Sequence, residues 1–483
     1  MITNGTLRKM FLLDMEPHER QKLFWLTATF FLVIAAYTIL KELKDSMFVT
    51  FVGKEYLPMA KQIAMVVLIP MIFFYSKLVD SLRRYQLLAF YAVLYGVLGL
   101  VFTYLLGHPT IGLANTVADK YRFFGWIFYF FYEGYSPFMV SVFWAFANSV
   151  NNPQEAKNNY AVFVSGSKIG GMLTPALAWW LFEQRDACGV AIYSDVVVHQ
   201  LLLGIASVIV LFIPVTLYFL IKRVPNRYLH GYEAAYRVEK KKEKQGTEKT
   251  GALAGLWILL KYPYVLGIYS IMYFYEVINV VLNYQRISIA QSAVKTVSGL
   301  SCILYQHVLI MHGVGFLISL FGTRALMQRL GERRCLLLIP ISTGLLLLFF
   351  MMYNTLNILV FVFIVLRSIN YAFSYPVRES LYIPTVKEMK FKAKSWIDAF
   401  GSKFAKSSGG IVNMIASGVG VPGTPVYVSF YSVFFFGIIG LWTLAAYWMG
   451  RRFDKVIANN EVVGQAEAEE DASQTLPNEA NAK

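Results

Sequence analysis

The sequence predicts an all-α integral membrane protein with twelve transmembrane helices arranged as two halves of six. Three observations support this fold class. First, 57% of the 483 residues are hydrophobic and only 15% are charged, whereas a soluble domain carries about 25% charged residues. Second, apolar runs of bilayer-spanning length recur from Phe24 to Met449. Third, one long basic stretch divides these runs into two sets of six.

The predicted spans are taken from the apolar runs, since a helix needs about 20 residues to cross the hydrocarbon layer. The spans are Phe24–Leu40, Ala60–Val79, Leu87–Leu106, Phe123–Val150, Val162–Phe182, His199–Leu220, Tyr264–Leu282, Tyr305–Leu326, Leu336–Tyr353, Ile358–Ser380, Trp396–Ser417 and Val428–Met449. They define an N-terminal half (1–221), a basic linker (222–255), a C-terminal half (256–455) and a tail (456–483). The tail is acidic and polar, which predicts a disordered cytoplasmic segment.

The distribution of Lys and Arg predicts the orientation. The stretch Lys222–Lys249 holds nine Lys and Arg against four acids, and short basic loops stay on the cytoplasmic side. With an even number of spans both termini are then cytoplasmic, and we expect the chain in the inner (cytoplasmic) membrane. Three lysines do not fit, because the predicted spans place Lys44, Lys54 and Lys61 on the outer side. A role other than topology is therefore expected for them.

The two halves resemble each other in sequence. A basic turn follows the second span at Arg83-Arg84, and another follows the eighth at Arg333-Arg334. A Gly-Ser-Lys motif with a later Gly-Gly pair begins at Gly166 in the fifth span and again at Gly401 in the eleventh. A repeat of six plus six helices is typical of major-facilitator transporters. The glycines predict close helix packing, with a sliding contact between the halves as the alternative.

Charged and amide side chains inside the predicted spans are the candidate binding residues. A charge in a membrane span is costly unless it faces a partner or a water-filled cavity, so such residues are functional candidates. Those of the seventh and tenth spans recur at helical spacing and form one polar stripe on each helix. The candidates are Glu133 in the fourth span, Glu276, Asn279, Asn283 and Arg286 in the seventh, Arg367, Asn370, Ser374 and Arg378 in the tenth, and Lys168, Lys403 and Lys406 in the fifth and eleventh.

These charges allow two interpretations. They either neutralise each other as structural ion pairs, or line a wet cavity with excess positive charge. The excess of Lys and Arg favours a cavity that selects an anion, because these side chains suit phosphate and carboxylate groups. Tyrosines such as Tyr132, Tyr273 and Tyr371 flank the charges and can stack on a nucleobase, with packing as the alternative. Together the two features favour a nucleotide over a bare inorganic anion.

Four stretches carry a resemblance to a known family. The segment Leu40–Thr50, LKELKDSMFVT, resembles the first-loop signature of the nucleotide transporter family, which comprises the ATP/ADP translocases of plastids and obligate intracellular bacteria. Phe131–Asn148, Pro153–Phe163 and Ala393–Gly410 are similar to further stretches of that family. The chain departs from the family pattern just before Lys44 and in the serine pair that precedes Gly409-Gly410.

The resemblance implies functional importance for four residues, Lys44, Glu133, Glu276 and Lys406. The last three also follow from the charge pattern. Together with Arg367, Arg378, Asn279 and Asn283 they form the predicted substrate-binding set.

We therefore predict a nucleotide carrier that exchanges ATP for ADP by alternating access and is not an enzyme. The alternative is proton-coupled import of nucleotides or of another phosphate-bearing anion, with Glu133 or Glu276 as the proton site. The expected partners are the nucleotide and the lipid bilayer, with no nucleic acid, and we expect a monomer. The sequence contains no P-loop and no paired-cysteine metal motif, so neither a metal nor a cofactor is expected. A membrane-embedded transferase would need a catalytic loop that is not apparent, and a channel would not need the repeat.

Overall fold

A computed structural model describes residues 15–151, 153–185, 190–229, 254–321, 323–353, 355–386, 389, 393–420 and 424–464. Most of these residues are helical, and the two β-bridges among them, Arg185–Ala191 and Thr385–Val463, are isolated. The prediction of an all-α fold is therefore confirmed. Most of the predicted linker and of the acidic tail lies outside the described residues, so their orientation and disorder stay predictions.

All six predicted spans of the first half fall within helical segments. The helices are α1 (Pro17–Phe51), α2 (Leu57–Ser81), α3 (Arg84–Leu106), α4 (Phe123–Glu133), α5 (Ser141–Val150), α6 (Pro153–Phe182), α7 (Asp195–Leu211), α8 (Ile213–Arg223) and the short α9 (Asn226–Leu229). Pro17 opens α1, where its missing N–H has no helical partner to lose. The Ser194 hydroxyl caps α7 by accepting a hydrogen bond from the Val197 N–H at 3.4 Å.

The second half is also helical. Its helices are α10 (Ala254–Lys261), α11 (Pro263–Ala293), α12 (Val297–Phe321), α13 (Thr323–Tyr353), α14 (Leu356–Ile369), α15 (Tyr375–Ser380), α16 (Lys394–Trp396), α17 (Ser402–Val419) and α18 (Pro425–Ala458). Gly331 interrupts α13 with a φ of 73°, a conformation that favours glycine. The break lies inside the predicted basic turn between the eighth and ninth spans.

Seven helical stretches of the described chain are both long and apolar enough to cross a membrane. These are Pro17–Phe51, Arg84–Leu106, Asp195–Arg223, Pro263–Ala293, Val297–Ile318, Arg329–Tyr353 and Pro425–Ala458. Three of the other predicted spans contain a π-helical turn: the fourth at Ser136–Val140, the tenth at Asn370–Ser374 and the eleventh at Ile397–Gly401. The multi-pass membrane class is confirmed, and the count of twelve crossings stays a prediction.

The first predicted span is too short, and the error changes the position of Lys44. The prediction ended this span at Leu40, but α1 continues to Phe51. Lys44 is therefore a helical residue with only 4% of its surface exposed, not part of an outer loop. Lys61 likewise lies inside α2 and is half-buried. The helix tolerates these charges because acids of the same unit face them, as described below.

The chain forms two compact units. The first comprises 1–238 and 290–312, and the second comprises 239–289 and 313–483. The first part of α12 thus belongs to the first unit, where the Tyr305 hydroxyl donates a hydrogen bond to the Ile39 carbonyl oxygen at 2.8 Å. The predicted single linker and the predicted domain boundaries remain predictions.

The repeated glycines are sites of close helix packing within each unit. In the first unit, a Cβ atom on Gly170 of α6 would lie 2.9 Å from the Phe31 carbonyl oxygen of α1. In the second, a Cβ atom on Gly409 of α17 would lie 2.8 Å from the Val277 carbonyl oxygen of α11. The fifth span therefore packs on the first as the eleventh packs on the seventh. This arrangement supports the close-packing interpretation and the internal repeat.

Candidate functional site

The first unit holds a buried cluster of two bases, two acids and one aromatic ring. Helix α1 contributes Lys44 and Asp45, α2 contributes Lys61, and α4 contributes Tyr129 and Glu133. The Lys44 ammonium donates a hydrogen bond to Glu133 Oε2 and lies 3.3 Å from Asp45 Oδ1. The Lys61 ammonium lies 3.6 Å from the same Glu133 oxygen. The structure thus brings the predicted residues Lys44 and Glu133 into direct contact.

The Tyr129 ring joins the two lysines of this cluster. The Lys44 Nζ lies 4.4 Å from the ring centroid and the Lys61 Nζ lies 5.1 Å from it. The ring is fully buried, so both cation–π contacts are shielded from water and correspondingly stronger. Each ammonium is held by a carboxylate on one side and by the ring on the other. This arrangement fixes two positive charges close together within the bilayer part of the chain.

A π-helical turn begins three residues after Glu133. Pro137 has no N–H to bond the Glu133 carbonyl oxygen four residues earlier, so one hydrogen bond of a regular α-helix is lost here. The chain forms the wider turn Ser136–Val140 before α5 continues. Such turns occur often at functional sites. Glu133 consequently lies at the end of α4, next to a local irregularity, and not in the middle of a rigid helix.

The second unit holds a hydrogen-bonded chain of acid, amide and base. The Asn279 amide donates to Glu276 Oε2 at 3.4 Å, and its Oδ1 accepts from Arg367 Nε at 2.9 Å. Glu276 and Asn279 lie one turn apart on α11, and Arg367 lies in the last turn of α14. Three predicted residues from two spans are therefore brought together. In the described part of the chain Glu276 forms no ion pair with a base, and Asn279 separates it from Arg367.

A second arginine completes this network. Arg286 of α11 donates to Asn283 Oδ1 at 2.9 Å, and its guanidinium lies 4.3 Å from the Phe363 ring centroid. The Arg367 guanidinium lies 4.7 Å from the same ring. Arg286 is fully buried, and Arg367 is 4% exposed. One phenylalanine thus holds two guanidinium groups, whose combined charge favours an anion nearby.

Two predicted residues stand apart from this network. Arg378 is buried, with its guanidinium 5.2 Å from the Tyr375 ring centroid. Lys406 is half-buried on α17, and among the described residues it makes no hydrogen bond or ion pair. The structure therefore does not join either residue to Glu276, Asn279 and Arg367.

A π turn lies between Arg367 and Arg378 in the tenth span. The sequence placed Arg367, Asn370, Ser374 and Arg378 on one stripe, assuming regular α-helical spacing. The wide turn Asn370–Ser374 holds about one extra residue, which changes that spacing after the turn. All four side chains remain buried. That they form one stripe beyond the turn stays a prediction.

The predicted tyrosines take different positions. Tyr132 is buried with its ring 4.8 Å from that of Phe128, which indicates packing. Tyr371 is 48% exposed, whereas Tyr273 is half-buried and its ring lies beside the rings of Tyr269 and Phe404. Sequence reasoning missed the roles of Lys61, Tyr129 and Phe363 in binding the charges. Pro137 and Pro376 lie in or beside two of the π turns, but a proline was not a sufficient signal, since Pro70, Pro175 and Pro340 lie inside α-helices.

Comparison with known families places the chain among transporters. The sequence matches the family described as TLC ATP/ADP transporter over residues 3–453. It is 26% identical to ADP,ATP carrier protein 1 of Chlamydia muridarum (strain MoPn / Nigg), covering 97% of this chain and 96% of that protein. It is 25% identical to ADP,ATP carrier protein 2, chloroplastic, of Arabidopsis thaliana, covering 95% of this chain and 78% of that one. It is 22% identical to ADP,ATP carrier protein 1 of Rickettsia typhi (strain ATCC VR-144 / Wilmington), covering 94% of this chain and 97% of that protein.

Solved structures agree on the fold. A D-xylose-proton symporter superposes with a TM-score of 0.58 at 14% identity, covering 89% of this chain and 97% of that one. A single-substitution mutant of the nucleoside transporter NupG gives a TM-score of 0.57 at 15% identity, covering 89% of this chain and 99% of that one. At such low identity the similarity concerns the fold alone. The predicted major-facilitator-like architecture is confirmed.

Proposed function

Because the chain belongs to the TLC ATP/ADP transporter family, we propose that it exchanges ATP for ADP across a membrane by alternating access. It acts as a carrier and not as an enzyme, since its buried charges are arranged to hold an anion. The family match over nearly the whole chain is the observation that carries this proposal. We further propose a monomer in the inner membrane with both termini cytoplasmic, as the basic linker predicts.

The buried bases supply the proposed phosphate contacts. Lys44, Lys406, Arg367 and Arg378 are the proposed phosphate-binding residues, because lysine provides a compact charge and arginine a planar fork. Asn279 and Asn283 orient the arginines and can bond the sugar or the base, while Glu133 and Glu276 balance the positive charge. Lys44 and Arg367 have the strongest support, since each is almost fully buried within a network of polar partners.

Charge balance favours exchange over one-way transport. When a carrier closes without substrate, its excess buried Lys and Arg side chains lose their hydration, which is unfavourable. A bound nucleotide supplies the negative charge that neutralises them. In the second unit, Arg286 and Arg367 share one aromatic ring, and only the neutral amide of Asn279 links Arg367 to the Glu276 carboxylate. Return with a bound nucleotide is therefore easier than return without one. Obligatory exchange follows without a separate coupling ion.

One observation favours proton-coupled import as the second candidate. Glu276 lies in an apolar helix, and its contact in the described residues is the neutral amide of Asn279. A carboxylate without an adjacent base in a membrane helix is a typical proton carrier. Glu133 is less suited to this role, because it already forms ion pairs with two lysines. If protons drive uptake, Glu276 is the proposed site.

Uptake of labelled ATP into vesicles containing the purified full-length chain tests these proposals. Exchange predicts rapid uptake into vesicles preloaded with ADP and slow uptake into empty vesicles, at equal pH on both sides. Rapid accumulation in empty vesicles that requires acid outside, with no gain from internal ADP, would replace exchange by proton-coupled import. No uptake under either condition, in vesicles whose protein is folded and inserted, would contradict nucleotide transport itself.

A further inference from the structure

Lys61 of α2 shares the Glu133 carboxylate with Lys44. We propose that Lys61 is a second phosphate-binding lysine, and that a substrate phosphate replaces Glu133 beside it. This inference rests on the proposed function and identifies the polyphosphate chain of the nucleotide as the group that this cluster recognises. In the sequence Lys61 was notable only as a base on the wrong side of the membrane.

The two lysines differ in how well their charges are neutralised. Lys44 contacts two carboxylates, donating a hydrogen bond to Glu133 and lying 3.3 Å from Asp45. Lys61 contacts one carboxylate, at 3.6 Å, which is beyond an ordinary hydrogen bond. Its side chain is 15% exposed, against 5% for Lys44. Lys61 is therefore more accessible than Lys44 and its charge is less fully neutralised. An incoming anion is expected to bind to it first.

The shared ring keeps the site assembled when the carboxylate leaves. Both ammonium groups lie over Tyr129, so each has a contact with the ring that does not depend on the Glu133 carboxylate. Two bases on one ring repel each other, and an anion with several charges relieves that repulsion better than a single carboxylate does. A diphosphate or triphosphate satisfies this requirement. A monophosphate satisfies it less well, and a nucleoside not at all.

The position of Glu133 allows it to move aside. It is the last residue of α4, and the π turn Ser136–Val140 begins three residues later. Rotation of its side chain, or a small shift at the wide turn, separates the carboxylate from the lysines without breaking a continuous helix. The cluster then acts as an ion-exchange site, in which the carboxylate neutralises the lysines when no nucleotide is present.

Competition by unlabelled nucleotides tests the inference. Labelled ATP uptake by cells expressing the full chain is measured with ATP, ADP, AMP or adenosine as competitor, and the purified protein is tested for thermal stabilisation by the same compounds. The variants are Lys61→Ala, Lys61→Met and Lys61→Arg. The control is Lys77→Ala, which removes an exposed lysine of the same helix. Lys61→Met keeps the apolar stem, so a result shared with Lys61→Ala does not reflect lost packing.

We expect Lys61→Ala and Lys61→Met to weaken the binding of ATP and ADP by about tenfold or more. The binding of AMP should weaken by less, and that of adenosine should not change. Lys61→Arg should retain most of the affinity, and Lys77→Ala should match the wild type. Equal weakening for all four compounds would indicate a structural role and overturn the inference. The inference would also be overturned if Lys61→Ala and Lys61→Met bound the four compounds with the same affinities as Lys77→Ala. If the wild type itself is neither competed nor stabilised by ATP, the proposed function fails, and this inference fails with it.

Discussion

Two roles are proposed for the Glu133 carboxylate: it neutralises Lys44 and Lys61 in the empty protein, and it competes with the substrate phosphate for them. Replacing Glu133 by glutamine separates these roles. The amide has nearly the same shape, so packing around α4 is preserved. The negative charge that holds Lys44 by a hydrogen bond and Lys61 at 3.6 Å is lost. The empty protein should become less stable against unfolding. The nucleotide-bound protein should recover that stability, because phosphate no longer competes with a carboxylate for the lysines.

The distances set the size of the effect. Two unit charges at 3.6 Å interact by about 4–5 kcal/mol at an effective dielectric constant of about 20. Removing one partner of a fully buried pair costs about 3–5 kcal/mol. Lys44 keeps Asp45 at 3.3 Å, and the Lys61 side chain is partly exposed. We therefore expect Glu133→Gln to destabilise the empty protein by about 2–3 kcal/mol, below the range for a fully buried pair.

Thermal unfolding of the purified protein, with and without ATP, measures both effects. The empty Glu133→Gln variant should unfold several degrees below the wild type, and saturating ATP should raise its Tm by more than it raises that of the wild type. ATP should also bind about tenfold more tightly, which corresponds to about 1.4 kcal/mol. An empty Tm equal to that of the wild type, or weaker stabilisation by ATP, would refute the reasoning.

Four further results are expected. Lys406→Ala should weaken ATP and ADP binding by about 2–5 kcal/mol if its ammonium touches phosphate, and unchanged affinity in a folded protein would exclude Lys406 from the site. Glu276→Gln should leave exchange intact and abolish any stimulation of uptake by acid outside, measured in vesicles at equal and unequal pH. Gly409→Ala should cost about 1–3 kcal/mol of unfolding free energy by overpacking. Gly437→Ala is its control, because its Cβ would meet no atom within 4 Å. A cysteine at position 245, outside the described residues, should react with an impermeant thiol label only from the cytoplasmic side.

The helical class and the repeat could be predicted from the sequence. The length of an apolar run determines whether a helix can span the membrane, and the glycine motifs recur in both halves. The fifth span packs on the first, and the eleventh on the seventh, as the repeated glycines indicated. The end of α1 could not be predicted in the same way. Hydropathy stops the span before Lys44, whereas the folded chain buries that lysine against an acid from another helix.

The site was only partly predictable for the same reason. Glu276 and Asn279 share a helix, so helical spacing was enough to relate them. Arg367 comes from another span, and its bond to Asn279 depends on tertiary packing. Lys61 was treated as an anomaly, because nothing in the linear sequence places it beside Glu133. The stripe through Arg378 assumed a regular helix, and the sequence did not show the π turn that lies between Arg367 and Arg378.

Two of the three π turns, Ser136–Val140 and Asn370–Ser374, lie within their spans and affect how these spans respond to insertions and deletions. Each turn holds about one residue more than an α-helix requires. Deleting one residue there would restore regular hydrogen bonding locally, while rotating every later side chain of the span by about 100° and withdrawing it by about 1.5 Å. Deletion at either turn should therefore impair folding as well as transport, because the later residues include the fully buried Phe143 and Val377. At these two positions of the chain, length and not residue identity is the property that selection must preserve.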